Sequence, residues 1–124
     1  MSEFEELVQI VTKLRTECPW DKEQTHESLA KHLIEESYEL LDAISKLDSS
    51  PESFEELKSE LGDVLLQVFL HSKIAEEKEF FNIDDVMTNL RLKLIKRHPH
   101  IFENANLDSA EAVSYTHLTL PTTD

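Results

Sequence analysis

Apolar residues recur every three or four positions along most of this chain, and that period fits helices and little else. The first segment puts Phe4, Leu7, Val8, Val11 and Leu14 on one stripe and is expected to stop before Cys18-Pro19-Trp20-Asp21, because proline restricts the residue ahead of it. A loop is expected to run to about Thr25. A second segment carries Leu29, Leu33, Leu40, Ile44 and Leu47, and a third holds Phe54, Leu57, Leu61, Val64, Leu65 and Val68. Between them lies the turn-prone stretch Asp48-Ser49-Ser50-Pro51-Glu52, in which Ser50 suits an N-cap and Pro51 the first helical position. A fourth segment, capped near Asn82, carries Val86, Leu90 and Leu94 inward and ends near His98-Pro99-His100. With one glycine and four prolines in 124 residues, few positions offer an alternative to helix. The expected fold class is all-α, a four-helix bundle in a single domain over residues 1–112.

The polar exceptions within these stripes carry more information than the stripes do. Glu36 falls where the second segment calls for an apolar residue, and Asp63 and Gln67 interrupt the nearly all-apolar run of the third. If the two segments fold back about residues 48–52, positions whose numbers sum to about 99 lie at one height, so Glu39 faces Glu60 and Glu36 faces Asp63. Each pair is three residues apart on its own helix, which is ~4.5 Å along the axis. Four carboxylates that close repel unless a cation joins them. An all-oxygen set suits a hard ion, with Mg²⁺ the expected cofactor and Mn²⁺ the alternative. Di-iron proteins of this architecture use Glu-x-x-His pairs on core helices, and the spacing Glu23 to His26 falls in the expected loop. Gly62, in the middle of the third segment, gives up about 1 kcal/mol of helix propensity, as expected where a neighbour comes close.

Other residues are read more plainly. Lys93 and Arg97 lie one turn apart on the fourth segment, a spacing that directs two cations to one place and suits phosphate oxygens. His98 and His100 are expected to cap that helix. His71 and His32 read as packing or surface residues, and Trp20 as a core anchor.

Charge and composition bound the partners. The 26 acidic residues outnumber the 12 lysines and arginines, giving a formal charge of −14, which opposes attraction to nucleic acid or to an anionic membrane. A small phosphorylated ligand stays compatible, since one bound cation reverses the local field. No apolar run approaches the ~18 residues of a membrane span, and Met1 to Glu6 lacks the basic start of a signal peptide, so the expected location is the cytoplasm. The single cysteine, Cys18, leaves no internal disulfide, and the cysteine and histidine spacing of a structural zinc is missing. Thr116, Thr119, Thr122 and Thr123 crowd the last nine positions, as many threonines as in the 115 residues before them. Residues 113–124 therefore read as a tail outside the fold.

Three blocks in order resemble a known family. They are Cys18-Pro19-Trp20-Asp21-x-x-Gln24-Thr25-His26-x-Ser28-Leu29, then Glu35-Glu36-x-x-Glu39 with Glu60-Leu61-Gly62-Asp63-Val64-Leu65-Leu66-Gln67-Val68, then Lys93-Leu94-Ile95-Lys96-Arg97-His98-Pro99-His100-Ile101-Phe102. Together they look like the MazG-type all-α nucleoside triphosphate pyrophosphohydrolases, over roughly residues 1–112. The resemblance implies a MazG-like four-helix bundle that forms a homodimer. It also implies hydrolysis of a nucleoside triphosphate to the monophosphate and pyrophosphate, in the housekeeping of nucleotide pools. Glu36, Glu39, Glu60 and Asp63 would hold Mg²⁺, Lys93 and Arg97 would contact the triphosphate, and Glu35 is the nearest candidate for the catalytic base. Members of the family usually continue past the Arg-His-Pro-His block into a further helical segment with a Trp-Glu pair, which this sequence lacks. That departure sustains a second reading, a helical regulatory module that binds nucleotide or a partner without turnover.

Overall fold

In the computed structural model, which describes residues 1–102, four long helices appear with two single-turn ones between and after them, and the described residues contain no strand. They are α1 (Glu3–Glu17), α2 (Pro19–Lys22), α3 (His26–Ser45), α4 (Pro51–Glu77), α5 (Ile83–Arg97) and α6 (Pro99–Phe102). The tail expected over residues 113–124, and the stretch that precedes it from residue 103, lie outside the described residues.

Local chemistry sets the starts. Ser2 Oγ accepts from the Glu5 amide at 3.1 Å while Glu5 returns a carboxylate oxygen to the Ser2 amide at 2.9 Å, a reciprocal box that fixes the start of α1. Thr25 and Ser28 form the equivalent box at the head of α3, at 3.0 and 2.8 Å. Asp48 Oδ1 accepts from the Ser50 amide at 2.7 Å, and Ser50 Oγ caps α4 through the Ser53 amide at 3.2 Å, with Pro51 in its first turn. The stretch expected to be a loop differs in one respect. Pro19 does end α1, but its fixed φ also suits a first helical position, and it opens the single turn of α2.

The chain divides into two compact units, Met1–Asn82 and Ile83 onward. In the first, α3 and α4 pack as an antiparallel hairpin and α1 lies against α4. Its core gathers Val11 of α1, Leu29 and Ala43 of α3, and Phe69, Leu70, Ile74 and Ala75 of α4. Phe4 meets Phe69 with ring centroids 5.9 Å apart. α4, the longest helix, supplies most of the buried residues, as expected of a central element. In the second unit α5 runs into α6, and His98 Nδ1 lies 2.7 Å from the Leu94 carbonyl, the capping role expected of it.

Arg15 ties the irregular stretch to the hairpin. Its Nη1 donates to the carbonyls of Asp21 at 2.6 Å and Gln24 at 2.9 Å, and its Nε and Nη2 grip the Glu77 carboxylate at 2.9 and 2.7 Å. Two expectations are corrected. Trp20 is 52% exposed and meets His32 edge-on at 5.4 Å, so it is no core anchor: a single-turn helix at the edge of the unit has too little cover to bury an indole. Gly62 is exposed, and a Cβ there would meet nothing within 4 Å among the described residues, so none of them requires its lack of a side chain.

Candidate metal centre

The hairpin brings together three of the four acids that its register called for. Glu36 of α3 and Glu60 and Asp63 of α4 each offer a carboxylate oxygen, and these oxygens lie within 4.8 Å of one another. Glu36 and Glu60 are half-buried and Asp63 is exposed, so the cluster sits at the rim of the α3–α4 seam. Partial desolvation, followed by the charges of Asp63, Glu39, Glu56 and Glu36, pushes the Glu60 carboxyl above its ordinary range. Carboxylates gathered this closely raise one another's cost of ionisation, and a divalent cation removes that cost. Oxygen donors from two rigid helices fit a hard cation.

Glu39 stands outside the tight set of three, although Glu60 feels its charge. Glu35, next to Glu36 on α3, is not among the three; its exposed carboxylate lies 3.4 Å from His32 Nδ1. In the second unit Lys93 and Arg97 are half-buried, one turn apart on α5.

One feature of the seam escaped the sequence. His26 and His71 lie nearly parallel, 7° between planes and 5.0 Å between centroids, with their Nδ1 atoms 2.7 Å apart. At that distance one Nδ1–H donates to the other ring's lone pair. Burial, and then the neighbouring His26, holds the His71 imidazole below its ordinary value. A signal for the pair existed in the numbering, since 26 and 71 sum to 97, close to the register of the acids.

Residues 24–102 match the MazG nucleotide pyrophosphohydrolase domain. The chain belongs to the MazG family. Its relatives include a nucleoside triphosphate pyrophosphohydrolase/pyrophosphatase MazG from Thermotoga maritima, 54% identical over 101 residues, which span 80% of this chain and 38% of the relative. A nucleoside triphosphate pyrophosphohydrolase from Escherichia coli K12 is 38% identical over 116 residues, 91% of this chain and 42% of that protein. One from Mycobacterium tuberculosis is 45% identical over 102 residues, 81% and 30%. The chain thus spans less than half the length of each of these curated relatives. The crystal structure of a mazG-related protein from Thermotoga maritima shares the fold, with a TM-score of 0.66 at 23% identity over 90% of this chain and 93% of that one. The MazG match encloses the whole α3–α4 hairpin and with it all four acids.

Proposed function

We propose that this MazG domain is a Mg²⁺-dependent nucleoside triphosphate pyrophosphohydrolase, converting a nucleoside triphosphate and water to the monophosphate and pyrophosphate. The observation that carries this reading is the convergence of the Glu36, Glu60 and Asp63 carboxylates within 4.8 Å, inside the stretch that matches the family. The names of the relatives support it. Glu36, Glu60 and Asp63, with Glu39 beside them, would hold the ion, which when bound supplies charge neutralisation and orientation for the triphosphate. Mg²⁺ is favoured over softer metals because every donor is a carboxylate oxygen.

The remaining roles fall to the chain's own residues. Glu35 takes the proton of the attacking water as the new oxygen bond to the α-phosphorus forms and the bond to the pyrophosphate oxygen breaks. Its exposure leaves it accessible to that water. Lys93 and Arg97 contact the triphosphate, Arg97 through a planar fork and Lys93 as a point charge. The proposed pyrophosphohydrolase domain is residues 1–112, and its function is to remove surplus or noncanonical nucleotides.

We also propose a homodimer. Beyond the faces that pack within the hairpin, Ile34, Tyr38 and Leu41 of α3 and Phe54, Leu61, Leu65 and Val68 of α4 stay exposed. Each set recurs at helical spacing, so each forms a stripe, and continuous apolar stripes of this extent mark an association surface. A second copy of the chain offers the same stripes in return.

Incubation of the Mg²⁺-loaded protein with each common nucleoside triphosphate, followed by assay for pyrophosphate, tests the activity. Pyrophosphate is the expected product. Bound nucleotide without product would instead establish the regulatory-module reading.

A further inference from the structure

The α3–α4 seam stays polar beyond the carboxylates. On α4, residues 60, 63, 67 and 71 follow one another at steps of three and four, so Glu60, Asp63, Gln67 and His71 share one face. Glu60 and Asp63 meet Glu36 of α3 at one end of that face, and His71 meets His26 of α3 at the other. Gln67 lies between them, in the same seam.

Gln67 is 5% exposed, and its Oε1 is buried without a hydrogen-bond partner among the described residues. One turn farther along, His71 Nε2 is also buried and, among the described residues, unpartnered, its Nδ1 being engaged by His26. A buried polar atom left unpaired bears the cost of its desolvation with nothing to offset it. Two such atoms one turn apart are an expensive arrangement for a seam that leucine would seal. Burial and the adjacent His26 also lower the proton affinity of His71, which favours directional hydrogen bonding by a neutral ring.

Distance along the helix gives the orphans a ligand. Gln67 is ~6 Å and His71 ~12 Å beyond Asp63 along the α4 axis. A nucleoside whose phosphates are held at the carboxylates extends over that span. We infer that Gln67 and His71 are specificity-determining contacts for the nucleoside half of the substrate, with Gln67 Oε1 accepting a hydrogen bond from an O–H of the sugar or an N–H of the base and His71 Nε2 beside it. This assignment rests on the nucleotide-hydrolase reading given above. It adds what that reading lacks, a polar surface that distinguishes a nucleotide from bare polyphosphate.

Calorimetric titration of the full chain with Mg²⁺ tests it, using three probes: inorganic tripolyphosphate, the non-hydrolysable α,β-methylene analogues of the four common nucleoside triphosphates, and their 2′-deoxy forms. Gln67→Leu is expected to weaken the analogues about tenfold while leaving the tripolyphosphate Kd within about twofold. If the sugar is read, the wild type prefers ribo over deoxy forms and Gln67→Leu erases that preference. If the base is read, the preference among the four bases is erased instead. His71→Asn is expected to act in the same direction. Should Gln67→Leu fail to fold, Gln67→Asn, which withdraws the amide by one methylene, carries the same comparison. Equal losses for analogues and tripolyphosphate would overturn the inference, and so would no loss for either, the result expected if an interior water satisfies these atoms. A wild type that binds neither analogues nor tripolyphosphate would instead refute the hydrolase reading itself.

Discussion

Arg15 and Glu77 stand 62 positions apart in sequence and are joined by two parallel hydrogen bonds, Nε to Oε2 at 2.9 Å and Nη2 to Oε1 at 2.7 Å. The Arg15 side chain is 8% exposed, and its third nitrogen holds the carbonyls of Asp21 and Gln24. One side chain therefore fixes α1, the α2 stretch and the end of α4 together. Arg15→Ala is expected to cost about 2–3 kcal/mol, since it strands several charge-assisted acceptors at once. Arg15→Lys recovers little, because an ammonium cannot reproduce the fork. Urea denaturation measures both.

The same pair sets a pH dependence. The hydrogen bonds from Arg15 hold the Glu77 carboxyl below its usual 4.5. A carboxyl whose value is depressed on folding contributes stability above its unfolded value and loses it as pH falls through the folded one. Stability is thus expected to drop below about pH 4.5, and the drop is expected to be shallower in Glu77→Gln.

His71 gives a second limb at higher pH. Its folded value lies below the ordinary 6.5, through burial and then His26. The unfolded chain therefore binds the proton first, and stability is expected to fall as pH drops through 6.5. His71→Leu is expected to flatten that limb in melts between pH 8 and 5, and an unchanged limb would exclude the pair as its source.

Glu79 ends α4 with φ at 63°, while the Phe80 amide reaches back to the Ala75 carbonyl at 3.0 Å. This closing turn favours glycine, which enters the left-handed region without a Cβ penalty. Glu79→Gly is expected to stabilise the fold by about 1 kcal/mol, read as a rise in the denaturation midpoint.

The exposed stripes of α3 and α4 give an association test. Leu41→Glu combined with Leu65→Glu is expected to convert a dimer to a monomer in sedimentation equilibrium, since each charge would be desolvated at an apolar contact. A wild type that is monomeric throughout would remove the homodimer.

Much of the hairpin was legible because its signals are local. Ser50-Pro51 marks a helix start by cap and ring geometry, and an acid such as Glu36 inside an apolar stripe betrays a site on any amphipathic helix. The antiparallel register then follows from the turn, which is why Glu36 and Asp63 meet as their numbers require. Trp20 was misread because burial depends on what surrounds a residue, and α2 is one turn long with little packed over it. Pro19 carried two meanings, helix stop and first helical position, and the sequence stressed the first. Gln67 was visible as a polar interruption, but the burial of its Oε1 without a partner among the described residues emerges only from the folded structure. The His26–His71 pair was missed because histidines at a helix start and a helix interior have no shared local pattern.

The most direct measurement follows the products of nucleoside triphosphate cleavage in H₂¹⁸O with Mg²⁺, by ³¹P NMR, for the wild type and for Glu36→Gln and Asp63→Asn. If the Glu36, Glu60 and Asp63 carboxylates, which lie within 4.8 Å of one another, hold one catalytic cation as proposed, the products are nucleoside monophosphate carrying the label and unlabelled pyrophosphate, and both folded variants lose at least about a hundredfold in rate. Wild-type rates in either variant, or orthophosphate with nucleoside diphosphate as the products, would contradict it.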